Sequence, residues 1–127
     1  SQVFKELASI LRKTSGMADV LVDALEPMSE KIVVAFVFGS VARGAETAGS
    51  DVDVLILGSV DFGAVIDALH ETQKELGREI NAKVFSVREW KARLKARDAF
   101  AAEVLAKPKI FLIGDEHELA ESGRRKS

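Results

Sequence analysis

The 127-residue chain contains no cysteine, which excludes disulfides, thiolate zinc sites and cysteine nucleophiles. It has no apolar stretch approaching the roughly eighteen residues of a membrane span. Its strong run, Ile32 to Phe38, is only strand-length. No signal-peptide pattern opens the chain, so a cytoplasmic protein is the expectation. There is little net charge, −2, which argues against a general nucleic-acid-binding surface but not against a local basic patch. Internal repeats, long linkers and low-complexity segments are missing too. What remains, 47% hydrophobic and 30% charged residues, suits one soluble domain with a real core. The chain opens on Ser rather than Met and enters at once into a helical pattern, so a fragment of a longer protein is expected.

One stretch organises the rest: Lys31 to Gly58, KIVVAFVFGSVARGAETAGSDVDVLILG. An apolar run ends at Gly39-Ser40, a loop of Gly, Ala and Thr follows, and Asp51-Val52-Asp53 opens a second apolar run. Residues two apart in a strand point to the same face. Asp51 and Asp53 therefore present two carboxylates side by side while Val52 and Val54 turn into the core. Such a pair repels itself, and a divalent cation is the usual reason to keep both ionised. Gly39 lets backbone come close to a ligand. Backbone N–H groups with the Ser40 hydroxyl suit a polyphosphate.

Gly39-Ser40, ten intervening residues and Asp51-x-Asp53 together resemble the signature of the DNA polymerase β-like nucleotidyltransferase superfamily. The fuller string GSVARG…SDVDVLIL is most similar to the minimal nucleotidyltransferases. The strong match covers about twenty residues, with weaker similarity out to Ile113; both motifs at this spacing are far more specific than either alone. The resemblance implies the nucleotidyltransferase fold and transfer of a nucleoside monophosphate, AMP from ATP, to an acceptor hydroxyl. Asp51 and Asp53 would hold Mg²⁺ or Mn²⁺. Gly39, Ser40, Arg43, Gly44 and Ser50 would meet the phosphates, although Arg43 could equally sit in solvent.

Family enzymes carry a third acid on the neighbouring strand, where it completes the metal site and acts as base. Here the expected position falls nearest Asn81, which cannot take a proton. Glu79, two residues earlier and about 7 Å along the strand, is the candidate third catalytic carboxylate. The rival is a site that binds nucleotide and turns over slowly or not at all, a regulatory domain attached to a DNA-binding or partner module. Little of the chain is left to build an acceptor pocket, so a partner protein or an RNA end is expected as acceptor. Small family members resemble antitoxins that modify a companion protein, which favours protein. Nucleic acid could enter through a missing domain, and a homodimer is also compatible.

Periodicity places a helix at Gln2–Lys13 stopped by Thr14-Ser15-Gly16, and a second from Met17 to Glu26 ended by Pro27. A third, Phe62–Leu76, is capped by Asp61 and Gly77, with Phe62, Val65, Ile66, Leu69 and Leu76 inward. Glu79–Val87 alternates as a half-buried strand. Ser86-x-x-Glu89 is a capping box for a helix containing Trp90 and Leu94, Asp98–Ala106 is helical, and Ile110–Ile113 is a short edge strand. Asp115-x-x-Glu118 opens a terminal helix. The expected class is α/β (α+β), a small mixed sheet flanked by helices. The expected parts are N-terminal helices over 1–29, a nucleotidyltransferase domain over 30–121 and a basic disordered tail over 122–127.

Other features read more plainly. His70 and His117 lack partners at metal-ligand spacing and belong on the surface. Asp61-Phe62-Gly63 is a helix cap rather than a kinase triplet, and Gly39 to Gly44 is not a Walker loop. Arg88, Lys91, Lys95 and Arg97 make one helix basic, as a solvated face or a contact for RNA or an acidic partner. Trp90 fills the core.

Overall fold

A computed structural model describes residues 16–39, 42 and 51–124. The expected first helix, with Ser40, Arg43, Gly44, Ser50 and residues 125–127, lies outside the described residues. Residues 16–25 are helical (α1), one residue earlier than the expected start of the second helix at Met17. A 3₁₀ segment, Glu26–Lys31, follows with Pro27 in its first turn. Then come β1 (Ile32–Phe38), β2 (Val52–Gly58), α2 (Phe62–Leu76), β3 (Ile80–Phe85), α3 (Val87–Lys95), α4 (Ala99–Ala106), β4 (Ile110–Ile113) and α5 (Glu116–Arg124).

The four strands form one mixed sheet in the order β3-β2-β1-β4. β1 runs antiparallel to both β2 and β4, while β2 and β3 are parallel. A parallel pair needs a crossover, and α2 supplies it. Both central strands read as continuous apolar runs because both sheet faces are covered. On one face Val52, Val54, Ile56, Ala35 and Val37 pack with Leu21 and Leu25 of α1 and Val65 and Leu69 of α2. On the other, Val34, Phe36, Leu55 and Leu57 pack with Trp90 of α3, Ala101 and Val104 of α4 and Leu119 of α5. Ile32 joins the first face although Val34, two residues on, joins the second. The register irregularity between them accounts for the switch, since an extra residue reverses the alternation. Burying each large apolar side chain contributes about 1.5–3 kcal/mol.

The caps are those the sequence specifies. Asp61 accepts from Ala64 N at 3.1 Å, Gly77 closes α2 in the left-handed region at φ 67°, and Ser86 and Glu89 complete their reciprocal box. Asp98 accepts from Ala101 N at 3.0 Å, and Asp115 from Glu118 N at 2.8 Å. Trp90 is fully buried, and His70 and His117 are exposed.

Two expectations need correction. Phe62 and Ile66, placed inward by periodicity, are 54% and 40% exposed. The stripe of α2 that packs is Val65, Leu69, Thr72 and Leu76. Ser122, expected to open a disordered tail, is fully buried in α5, its hydroxyl donating to Glu118 O at 2.9 Å.

Between α4 and β4 the chain is held by Lys109, whose side chain is 3% exposed. Its ammonium donates to Leu105 O at 3.1 Å and Lys107 O at 2.9 Å, and lies 3.5 Å from Glu116. A cation at carbonyls left open by a helix end is a favourable placement. It ties the end of α4 to the start of α5.

Candidate functional site

Strand register gathers the site at one rim of the sheet. Asp53 lies opposite Phe38 of β1 on one side and Asn81 of β3 on the other. Asp51 precedes β2 by one residue, and the alternation turns it to the same face as Asp53, the face covered by α3 and α4. Val52 between them is buried on the opposite face, and its N–H donates to Glu79 O at 2.9 Å. The start of β3 is pinned in turn by Ile80 N donating to Gln73 Oε1 at 2.8 Å. Core packing on one face and backbone bonding at the edge thus aim the two carboxylates.

Gly39 follows directly, at φ +79°, in a region that disfavours side chains. A Cβ there would overlap Asp53 Oδ2. The close approach that glycine permits is therefore to the Asp53 carboxylate, a contact that motif reading had assigned to a ligand.

The Asn81 amide donates to Asp51 Oδ2 at 3.1 Å. Asp53 titrates above its ordinary range. Burial is the main cause and the neighbouring Asp51 charge adds to it, while an Asn81 hydrogen bond and Lys83 pull the other way. Lys83 holds its ammonium 5.5 Å from the centre of the Phe100 ring. Beside Asp53 opens a cavity of about 190 Å³, lined further by Phe38, Gly39, Phe100, Glu103, Val104 and Lys107. Glu103 and Lys107, four residues apart, pair along one wall of it at 3.0 Å.

Two carboxylates facing one way, Asp51 exposed and Asp53 half-buried, make a hard-oxygen donor pair under mutual repulsion. Mg²⁺ is commonly held by one or two carboxylates together with substrate phosphates, so these residues fit a Mg²⁺ that arrives with a nucleotide. Among the described residues no group of three His, Cys, Asp or Glu side chains is placed to hold a metal. Glu79 is accordingly not gathered with Asp51 and Asp53. Glu79 lines a surface hollow with Gln73, Lys74, Gly77 and Arg78 at the turn from α2 to β3, and Asn81 occupies the register position beside Asp53.

Residues 18–110 match the family model described as nucleotidyltransferase domain. The chain belongs to that family. A Methanocaldococcus jannaschii protein that carries the provisional name protein adenylyltransferase is 51% identical over 49 residues, 39% of this chain and 49% of that protein. The chain thus spans about half the length of this curated relative. Among solved structures, a chain of a toxin–antitoxin complex with AMP-PNP superposes with a TM-score of 0.60 at 15% identity, over 84% of this chain and 81% of that one. A complex of tri-AMPylated Shewanella oneidensis HEPN toxin with MNT antitoxin gives 0.53 at 14% identity, over 84% and 76%. At such identities the likeness is one of fold, and it agrees with the mixed four-stranded sheet flanked by helices.

In this nucleotidyltransferase domain the structure brings together Gly39, Asp51, Asp53 and Asn81, and it leaves Glu79 aside. Sequence reading missed Phe100, Glu103 and Lys107, which line the cavity from α4 and its C-terminal cap. Their spacing of three and four residues marked one helix face, but nothing in it said which cavity that face would meet.

Proposed function

We propose that the chain is a Mg²⁺-dependent nucleotidyltransferase that moves AMP from ATP to a hydroxyl group of a partner protein. The observation that carries this is the pair Asp51 and Asp53, side by side at the sheet rim against Gly39. The adenylyl and protein parts are supported by the name of the archaeal relative and by the AMP-PNP and AMPylated-toxin complexes that share the fold.

In the reaction the acceptor oxygen bonds to the α-phosphorus of ATP, the bond from that phosphorus to the bridging oxygen breaks, and pyrophosphate leaves. Asp51 and Asp53 would hold the cation, which when bound would offset phosphate charge and stabilise the attacking and leaving oxygens. Asn81 keeps Asp51 in place through its amide and has no site for a proton, so the acceptor proton passes to water. Glu79 contributes through its backbone carbonyl, which fixes Val52 between the two acids. Ser40, Arg43, Gly44 and Ser50 are assigned to the departing pyrophosphate on the strength of the motif alone.

Incubation with labelled ATP, Mg²⁺ and candidate acceptor proteins should transfer label, and Asp53→Ala should abolish it. Undiminished transfer by that variant would refute the assignment. Asn81 in place of a carboxylate favours a second reading, a nucleotide sensor without turnover. That reading prevails if wild type transfers nothing while ATP with Mg²⁺ raises its melting temperature.

A further inference from the structure

A groove of about 540 Å³ runs between α3 and α5, lined by Arg88, Lys91, Ala92, Leu94, Lys95 and Gly123. The three cations recur at i, i+3 and i+7, so they share one helix face over about 10 Å. Among the described residues none of the three forms an ion pair. Glu89, the acid of the same helix, is engaged by Ser86 N at 2.8 Å. Arg93 is drawn away to Asp98 at 3.4 Å and to the Phe85 ring.

Like charges one helical turn apart oppose helix formation, and no described residue forms an ion pair with these three. They are not part of a general basic excess either, since the net charge is −2. The rest of the lining is apolar or small: Ala92 and Leu94 from α3 and Gly123 from α5. A Cβ on Gly123 would come within 2.9 Å of Leu94 Cδ1, so the two helices meet closely there. Among the described residues, a cationic groove with an apolar lining is left without an ionic partner.

We propose that this groove docks an acidic, amphipathic segment of a partner protein, its carboxylates meeting Arg88, Lys91 and Lys95 and its apolar side chains meeting Ala92 and Leu94. Charge complementarity selects an acidic occupant. The lining selects protein over nucleic acid. A phosphate backbone has no use for apolar side chains, and no ring is exposed here to stack a base, because Trp90 of the same helix is fully buried. An amphipathic helix laid into a groove uses both features.

The test uses the full chain and a fluorescein-labelled helical peptide of about 14 residues, or four turns, with Leu on one face and Glu on the other. Its controls are a scrambled peptide of the same composition and a single-stranded RNA of the same length. Anisotropy should show saturable binding of the amphipathic peptide that weakens as salt rises. The combined variant Arg88→Glu, Lys91→Glu, Lys95→Glu should lose at least about tenfold in affinity. Lys74→Glu, on the opposite side of the sheet, should bind as wild type. If the triple variant does not fold, Lys91→Ala and Lys95→Ala singly should each weaken binding. Asp53→Ala should bind the peptide normally, so failure of the transferase reading leaves this one standing. Equal binding of the scrambled peptide, tighter binding of the RNA, or indifference to the groove substitutions would overturn it.

Discussion

Gly39→Ala tests whether the turn after β1 and the carboxylate of β2 are one structural unit. Two costs are expected. Holding an alanine at φ +79° costs about 1–2 kcal/mol. Its Cβ also overlaps Asp53 Oδ2, and forcing that side chain aside costs a further 1–3 kcal/mol or so, as overpacking does elsewhere. Only the first cost depends on backbone alone. In an Asp53→Ala background the overlap disappears and the penalty should shrink to the first part. Urea unfolding of wild type, both single variants and the double variant gives the coupling directly. It should reach about 1–3 kcal/mol, well beyond the roughly 0.3–0.5 kcal/mol scatter of independent sites. The full penalty of Gly39→Ala should appear as a fall in Tm of about 4 °C per kcal/mol. Mn²⁺ titration should show weakened binding in Gly39→Ala, because the displaced carboxylate no longer stands beside Asp51. Additive energies, with the same cost in both backgrounds, would refute the argument that Gly39 is required by Asp53.

Further expectations follow from the same geometry. Asp53 is held above its ordinary range by burial and by Asp51, so the native state binds its proton more readily than the unfolded chain. Stability from this group is then full below the unfolded carboxylate range and lost as pH rises through the raised folded value. Asp53→Asn should therefore be more stable than wild type at neutral pH without metal, the gap should close in acid, and urea midpoints across pH should show it. Asn81→Asp places a third carboxylate at the Asp53 register position. It should tighten Mn²⁺ binding and raise label transfer, and titration with both readouts unchanged would count against the metal assignment. Trp90 is fully buried, and its indole N–H lacks a partner among the described residues. Trp90→Ala should cost about 3–5 kcal/mol and Trp90→Phe less than about 1.5 kcal/mol, measured as urea midpoints, because phenylalanine keeps the packing and removes the unsatisfied donor.

The parts of the fold legible in advance are those set by short-range chemistry. The caps at Asp61, Gly77, Ser86 and Asp115 depend on one or two side chains and a few peptide groups, and the helices begin and end where they say. The Asn81 position beside Asp53 could be found by spacing because strand register is fixed by alternation. What failed was set by neighbours distant in the chain. Phe62 and Ile66 lie on a helix with two overlapping apolar stripes, and only the sheet beneath decides which one is buried. Strand spacing suggests that Glu79 reaches the acids, yet among the described residues it forms no three-acid group with Asp51 and Asp53, because side-chain reach depends on neighbours that spacing does not specify.

Lys109 has a practical bearing on how short this protein can be made. The stretch that matches the family stops at residue 110, and a piece trimmed to that limit would keep both acids and the glycine. It would lose Glu116, the counter-ion of a lysine sealed from water, together with Leu119, which closes the core behind Trp90. The wall bearing Phe100, Glu103 and Lys107 would then be tethered at one end only. The final helix is a buttress for chemistry it never touches.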